Sequence, residues 1–266
     1  MKKRVFLVLL ITVLAAVAAF AQPEFKLSAG AGGLFVSDFG GGAQMKGDAM
    51  GGLVSTEVKI DFPYSGGGGY AFFDATYAEL SIGYSFSKLK PKFKGSMKMM
   101  GTEMPIDPED FSSIPTVKMQ NLNIGLLGKY PIAISKQFSI FPLLGVEWSQ
   151  ALSVKGKFED LDGDGVDDEG EYRRMNSDGT SGSKAPGDWS ALWFKGGVGM
   201  DFSFTESLYL RLDVLYGLRL PSKAEKDIVD LMKAKATSES PLPMSVDAKP
   251  LLGHGLTAKL AIGFRF

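Results

Sequence analysis

The densest chemistry in the 266-residue chain is a run of carboxylates, Asp160–Glu171, which reads DLDGDGVDDEGE. Carboxylates occupy positions 1, 3, 5, 9 and 12 among its acidic residues, with Gly165 at position 6. That spacing matches a calcium loop in which Asp160, Asp162, Asp164, the Val166 carbonyl, Asp168 through a water, and a bidentate Glu171 converge on the ion. Two features depart from the usual loop: no helices flank it, and Asp167 occupies a position that is normally apolar. Two readings stay open, a weak Ca²⁺ site (~10⁻⁴–10⁻³ M) that orders a surface loop, or a merely acidic loop. Ca²⁺ is the one cofactor the sequence suggests.

The other reactive types are sparse. His254 is the only histidine and sits between Gly253 and Gly255, which suits a structural role. The chain has no Cys, which removes thiol chemistry and disulfides. It shows no nucleophile elbow, no phosphate-cradling Gly loop and no His/Cys cluster, so no catalytic activity is expected. Lys88, Lys90, Lys92, Lys94 and Lys98 form a basic stretch, followed by an apolar tip of Met97, Met99, Met100 and Met104. The stretch is either a solvated strand extension or a contact for acidic lipid headgroups or polysaccharide.

The elements that would carry these residues begin with a secretion signal. Lys2, Lys3 and Arg4 precede an apolar run, Val5–Val17, and Ala19-Phe20-Ala21 offers a cleavage site, so residues 1–21 are expected to be removed and 22–266 to form the mature domain. Losing three cations moves the formal charge from −1 to −4, which gives no electrostatic case for nucleic acid as a partner.

Beyond the signal the pattern has period two. Leu208, Leu210, Leu212, Val214, Tyr216 and Leu218 form one face of a segment whose other face is Tyr209, Arg211, Asp213, Leu215, Gly217 and Arg219. The segments 192–204 and 256–266 repeat it. Each is about as long as the ~9–11 residues that a tilted transmembrane strand requires. Tight links at 74–76, 135–137 and 205–207 alternate with long polar stretches at 39–52, 88–115, 155–189 and 221–251. This asymmetry predicts an all-β fold: an eight-stranded antiparallel transmembrane up-and-down β-barrel with long outer loops. The strands are expected near 24–37, 54–73, 77–87, 117–134, 138–154, 190–204, 208–220 and 255–266, the second interrupted by a bulge or loop at Gly66–Gly69. Ala224, Ile228, Leu231, Met232 and Lys235 predict a short helix in the last loop. The polar faces would then meet inside as an ion-pair network of Glu79, Lys129, Glu147, Lys195, Asp201, Arg211, Asp213, Arg219, Lys259 and Arg265, with Gly leaving room for the long side chains. A soluble, lipocalin-like barrel would point its apolar face inward instead.

The last strand ends Phe264-Arg265-Phe266 after alternating Leu256, Ala258, Leu260 and Ile262. This resembles the C-terminal signature of bacterial outer-membrane barrels, and the mature chain is similar to the small OmpA/OmpX/OmpW-like superfamily. The resemblance implies localisation in the bacterial outer membrane, contact with its lipids, and Phe264 and Phe266 as the signal read by the barrel assembly machinery. It carries over no catalytic residue. Two functions are compatible with it: a narrow channel or conduit for small solutes, ranked first, and a surface-exposed structural or adhesive barrel whose long loops bind an extracellular host or glycan ligand.

Overall fold

The computed structural model describes residues 26–106, 116–158, 168–171, 173–175, 181–238 and 244–266. Eight long strands close on themselves: β1 (Leu27–Asp38), β2 (Tyr64–Ala75), β3 (Ala78–Leu89), β4 (Thr116–Lys129), β5 (Phe138–Phe158), β6 (Ala191–Ser203), β7 (Leu208–Arg219) and β8 (Gly253–Arg265). Each pairs antiparallel with its chain neighbours, and β1 closes the ring against β8, from Ser28↔Arg265 to Asp38↔Gly255. Closure satisfies every backbone ladder without water, the condition for a sheet in hydrocarbon.

The burial pattern decides which way the barrel faces. On β7, Arg211 and Asp213 are fully buried while Val214, Tyr216 and Leu218 are each nearly half exposed. On β8, Lys259 is 3% exposed and Leu260 is 52% exposed. Charges are inside and the large apolar side chains outside, the arrangement of a barrel solvated by lipid and the reverse of a lipocalin-like one.

Four details of the strands differ from the sequence expectation, and the first is that the strand expected over 117–134 ends at Lys129, with Ile132–Ala133 a separate short strand paired with β5. The second predicted strand is two elements, because Val54–Asp61 leaves the barrel and only Tyr64–Ala75 belongs to it, with Phe62-Pro63 as the joint. Gly66–Gly69 is neither bulge nor loop: its register runs unbroken against both β1 and β3. Asp74 belongs to β2 and points inward, so the link to β3 is Thr76-Tyr77 alone. The irregularity lies in β5, between Ala151 and Ser153. It exchanges the inward parity, so that Ala151 and then Val154 are buried.

The outer connections are more ordered than polar composition suggests. Gly42–Ala49, Val54–Asp61, Lys92–Met99, Thr102–Ile106 and Met244–Leu251 form a separate five-stranded sheet above the barrel. Between β7 and Met244–Leu251 lies helix α1 (Lys223–Ser238), the expected helix at somewhat greater length. It opens on an S-x-x-E capping box: the Ser222 hydroxyl accepts from the Glu225 N–H at 3.3 Å, and the Glu225 carboxylate accepts from the Ser222 N–H at 2.7 Å. Val229 of α1 buries against Ala43 and Ala248 of the outer sheet. The predicted signal segment lies outside the described residues.

Inward glycines make space for the interior side chains. A Cβ at Gly263 would stand 2.2 Å from the Tyr209 ring, and one at Gly199 would stand 2.1 Å from the Phe141 ring. Gly263→Leu is therefore expected to lower stability by about 1–3 kcal/mol, the usual cost of overpacking, read as the midpoint of urea unfolding in detergent micelles. An unchanged midpoint would show that the ring beside it is free to move.

Candidate functional site: the barrel interior and its outer cap

Glu79, Glu147, Lys195, Asp201, Arg211, Asp213, Arg219 and Lys259 are buried on the inward faces of their strands, and Lys129 and Arg265 are partly buried on the same faces. Arg211 is the hub of the inner half. Its Nε and Nη2 donate to the Asp201 carboxylate at 2.8 and 3.0 Å, Nη1 donates to Glu79 at 2.8 Å, and Nη2 also donates to Asp74 at 2.6 Å. Lys129 pairs with the same Asp74 oxygen, and Arg265 lies 3.6 Å from Asp201 and donates to the Ser203 hydroxyl at 2.7 Å. Midway along the barrel, Lys195 donates to Glu147 at 2.6 Å and to the Thr257 hydroxyl at 2.9 Å, and Lys259 lies 3.6 Å from Glu79. The inward faces of the eight strands thus carry six acids (Asp38, Asp74, Glu79, Glu147, Asp201, Asp213) and six bases (Lys129, Lys195, Arg211, Arg219, Lys259, Arg265).

Aromatic rings line this network, a feature the sequence reading did not include. The Arg211 guanidinium lies 4.6 Å from the Phe72 ring, 5.1 Å from Phe141 and 5.3 Å from Tyr209. Arg265 lies over Tyr209, Lys195 over Trp193 and Lys259 over Tyr70. Ring faces add cation–π attraction to the ion pairs, and in a dry interior each such contact is stronger than at a surface. Asp213 is the exception among the carboxylates: neither of its oxygens has a hydrogen-bond partner among the described residues.

The outer mouth is closed by a different device. Arg219 donates from Nε to Asp38 at 2.7 Å and from Nη1 and Nη2 to Glu225 at 2.6 and 2.8 Å. Glu225 therefore caps α1 and ties it to the rim of β7 with one carboxylate. Below the helix, Phe62, Leu89, Met119, Ala151 and Val154 form an apolar cluster against which Ile228 of α1 and Trp189 pack. The cavity beneath this cap, between Tyr64, Leu89, Asn121 and Arg219, holds about 20 Å³, room for roughly one water. Asp38, Asp74 and Glu225 were missed in the sequence because each sits at the end of an element, where strand parity gives no signal. The Ser222-x-x-Glu225 motif was the available clue for the third.

The remaining expected sites stand apart. Phe264 and Phe266 are on the lipid-facing side at the short-turn end, 54% and 81% exposed, and the Phe266 N–H donates to the Leu27 carbonyl. His254 faces outward beside Phe39 and Tyr216. Of the calcium loop, residues 160–167 lie outside the described residues, and Asp168–Glu171 is a strand paired with β5, its carboxylate positions not described.

A family model described as "Outer membrane protein beta-barrel domain" matches residues 6–235. The chain belongs to that family. As a member of this outer-membrane barrel family, it resides in the bacterial outer membrane, with the short-turn end, where β1 begins and β8 ends, toward the periplasm. No curated protein sequence matches it. Among solved structures it resembles the outer membrane protein OprG from Pseudomonas aeruginosa, at 10% identity and a TM-score of 0.38 over 91% of this chain and 96% of that one. Neisserial surface protein A is similar at 12% identity and 0.32, over 91% and 96%. The attachment invasion locus protein Ail of Yersinia pestis is similar at 13% identity and 0.29, over 88% and 99%.

Replacing Arg211 by Met removes the cation shared by Asp74, Glu79 and Asp201 and is expected to cost about 3–5 kcal/mol, the penalty for leaving buried charge uncompensated. Asp213→Asn removes a carboxylate that accepts no hydrogen bond and is expected to leave the urea midpoint unchanged or raise it. Equal losses in the two variants would contradict the assignment of Arg211 as the hub.

Proposed function

We propose that the protein is a surface-recognition barrel, a lipid-embedded pedestal that presents its outer sheet and neighbouring loops to ligands outside the cell. The observation that carries this reading is the filled interior. Arg211, Tyr209, Phe141, Leu127 and Leu215 are buried across the inner and middle sections, and α1 is tied down over the mouth by Arg219 and Glu225. Eight strands enclose a space that side chains fill, and here they fill it. A solute conduit needs a continuous wet path, so the filled interior weighs against the channel reading.

The outer sheet offers the recognition surface. Register aligns Lys249, Gln44, Lys59 and Lys94 directly across four strands, on the face opposite the one that buries Ala43 and Ala248. Ion pairs stiffen that face: Lys46 lies 2.9 Å from Glu57 and Lys59 lies 2.8 Å from Asp61. Hydrogen bonds from Lys46 and Gln44 hold Glu57 below the usual carboxylate range. A rigid cationic row on an exposed sheet suits anionic glycans, and such projections on a scaffold carry most recognition.

The purified protein in planar bilayers is expected to be electrically silent. On an array of anionic glycans it is expected to bind, with binding weakened when Lys59, Lys94 and Lys249 are all changed to Gln. Discrete conductance steps from the unaltered protein would overturn the reading in favour of a conduit.

A further inference from the structure

Methionine is concentrated in one hairpin of the outer sheet. Of the 12 methionines in the chain, Met97, Met99, Met100 and Met104 fall in the hairpin of Lys92–Met99 and Thr102–Ile106. Its two-residue turn, Met100-Gly101, has both residues in the left-handed region, at φ 49° and 89°. A tight turn of this kind fixes the register of the strands it joins. Here it sets Met97 directly opposite Met104, and Met99 opposite Thr102. Strand residues alternate in the face they present, so Met97, Met99 and Met104 share one face. Met100 stands at the turn tip and is 81% exposed.

The shared face is the one on which Ala43, Met45 and Ala248 pack with Val229 of α1, opposite the lysine row. Across Gly42–Ala49, Val54–Asp61, Lys92–Met99 and Thr102–Ile106 it carries no charged residue. Helix α1 packs against Met244–Leu251 and Gly42–Ala49. At the far hairpin the face is open: Met99 is 46% and Met104 40% exposed, and Met97 is half-buried. Among the described residues, none of the three belongs to an apolar cluster. On the adjacent strand the same face is Val54, Thr56, Val58 and Ile60, the β-branched types that strands favour. Methionine in the open part instead brings unbranched, adaptable side chains and three sulfurs.

Directly opposed side chains have Cβ atoms about 5 Å apart, and diagonal neighbours such as Met99 and Met104 about 7–8 Å. Each sulfur stands two bonds beyond its Cβ on freely rotating bonds, so the three can converge on one point. A thioether is a neutral, soft donor that suits Cu(I), whereas Ca²⁺, Mg²⁺ and Zn²⁺ call for carboxylate, carbonyl, imidazole or thiolate ligands. We propose that Met97, Met99 and Met104 form a three-thioether site for a soft monovalent cation, Cu(I), with Ag(I) as its air-stable counterpart. The site captures the cation outside the barrel. It is independent of the recognition surface, which lies on the other face of the same sheet.

The test titrates the full mature chain, refolded in detergent micelles, with silver nitrate in chloride-free buffer by isothermal titration calorimetry. Binding of Ag(I) is expected to persist in excess Ca²⁺ or Zn²⁺. The Met97→Leu/Met99→Leu/Met104→Leu variant keeps size and apolarity, and heat-modifiable migration on a denaturing gel checks that it is folded. It is expected to bind Ag(I) about tenfold or more weakly, the scale on which metal sites respond to altered ligand shells. A matched variant, Met119→Leu/Met200→Leu/Met232→Leu, removes as many thioethers from the barrel and α1 and is expected to bind as the unaltered protein does. X-ray absorption of the Cu(I)-loaded, ascorbate-reduced protein is expected to show a first shell of sulfur alone. Undiminished Ag(I) binding by the hairpin variant, an equal loss in the matched variant, or a first shell of nitrogen and oxygen would each overturn the proposal.

Discussion

A peptide ladder placed in hydrocarbon finds no water for its unpaired N–H and C=O groups, so the sheet must close into a ring. Closing it after eight strands sets a radius at which inward side chains meet across the axis. The polar face of each strand, turned away from lipid, then has to satisfy itself in a space too small for bulk water. Arg211 resolves most of that demand by donating to three carboxylates from three strands: Asp74 on β2, Glu79 on β3 and Asp201 on β6. Two of those partners lie 132 and 137 residues from Arg211 in the chain, so the contact joins strands that meet across the closed ring. The interior network is therefore a consequence of closure and also a check on its register, since a one-residue slip would turn every charge outward.

Glycine and aromatic side chains follow from the same constraint. A ring that stacks on a guanidinium needs its neighbour on the next strand to be small, and the pairs Gly263 with Tyr209 and Gly199 with Phe141 have that form. At the outer mouth the demand changes, because the barrel opens toward water and toward its own loops. There Glu225 caps a helix and neutralises Arg219 at once, while an apolar cluster under Ile228 fills what remains. The outer sheet stands on this plug, which links lipid-embedded stability to the shape of the exposed surface.

Much of this was legible in the sequence where one residue type alternates with another over a long run. Leu208–Arg219 declares its two faces at every position, and Arg211, Asp213 and Arg219 were placed inside by parity alone. Legibility failed where the pattern is short or interrupted. In Tyr64–Ala75 four glycines erase the contrast between faces, and Phe72 beside Phe73 gives opposite faces the same residue, so the inward run Tyr70, Phe72, Asp74 was hidden. The outer sheet was missed because its strands, such as Gly42–Ala49, are stabilised by partners far along the chain (Met244–Leu251 on one side) and show little alternation of their own.

The interior is dry and filled while the outer wall meets lipid, and the absence of cysteine in the chain makes that difference directly measurable. Single cysteines would be placed at Leu215, which faces inward and is fully buried, and at Val214, which faces lipid, then treated in the folded barrel with a charged and an uncharged maleimide. Leu215→Cys should resist both reagents until the protein is boiled, and Val214→Cys should react with the uncharged, lipid-soluble one. Rapid labelling of Leu215→Cys by the charged maleimide would mean that water passes through the barrel, and would contradict the account.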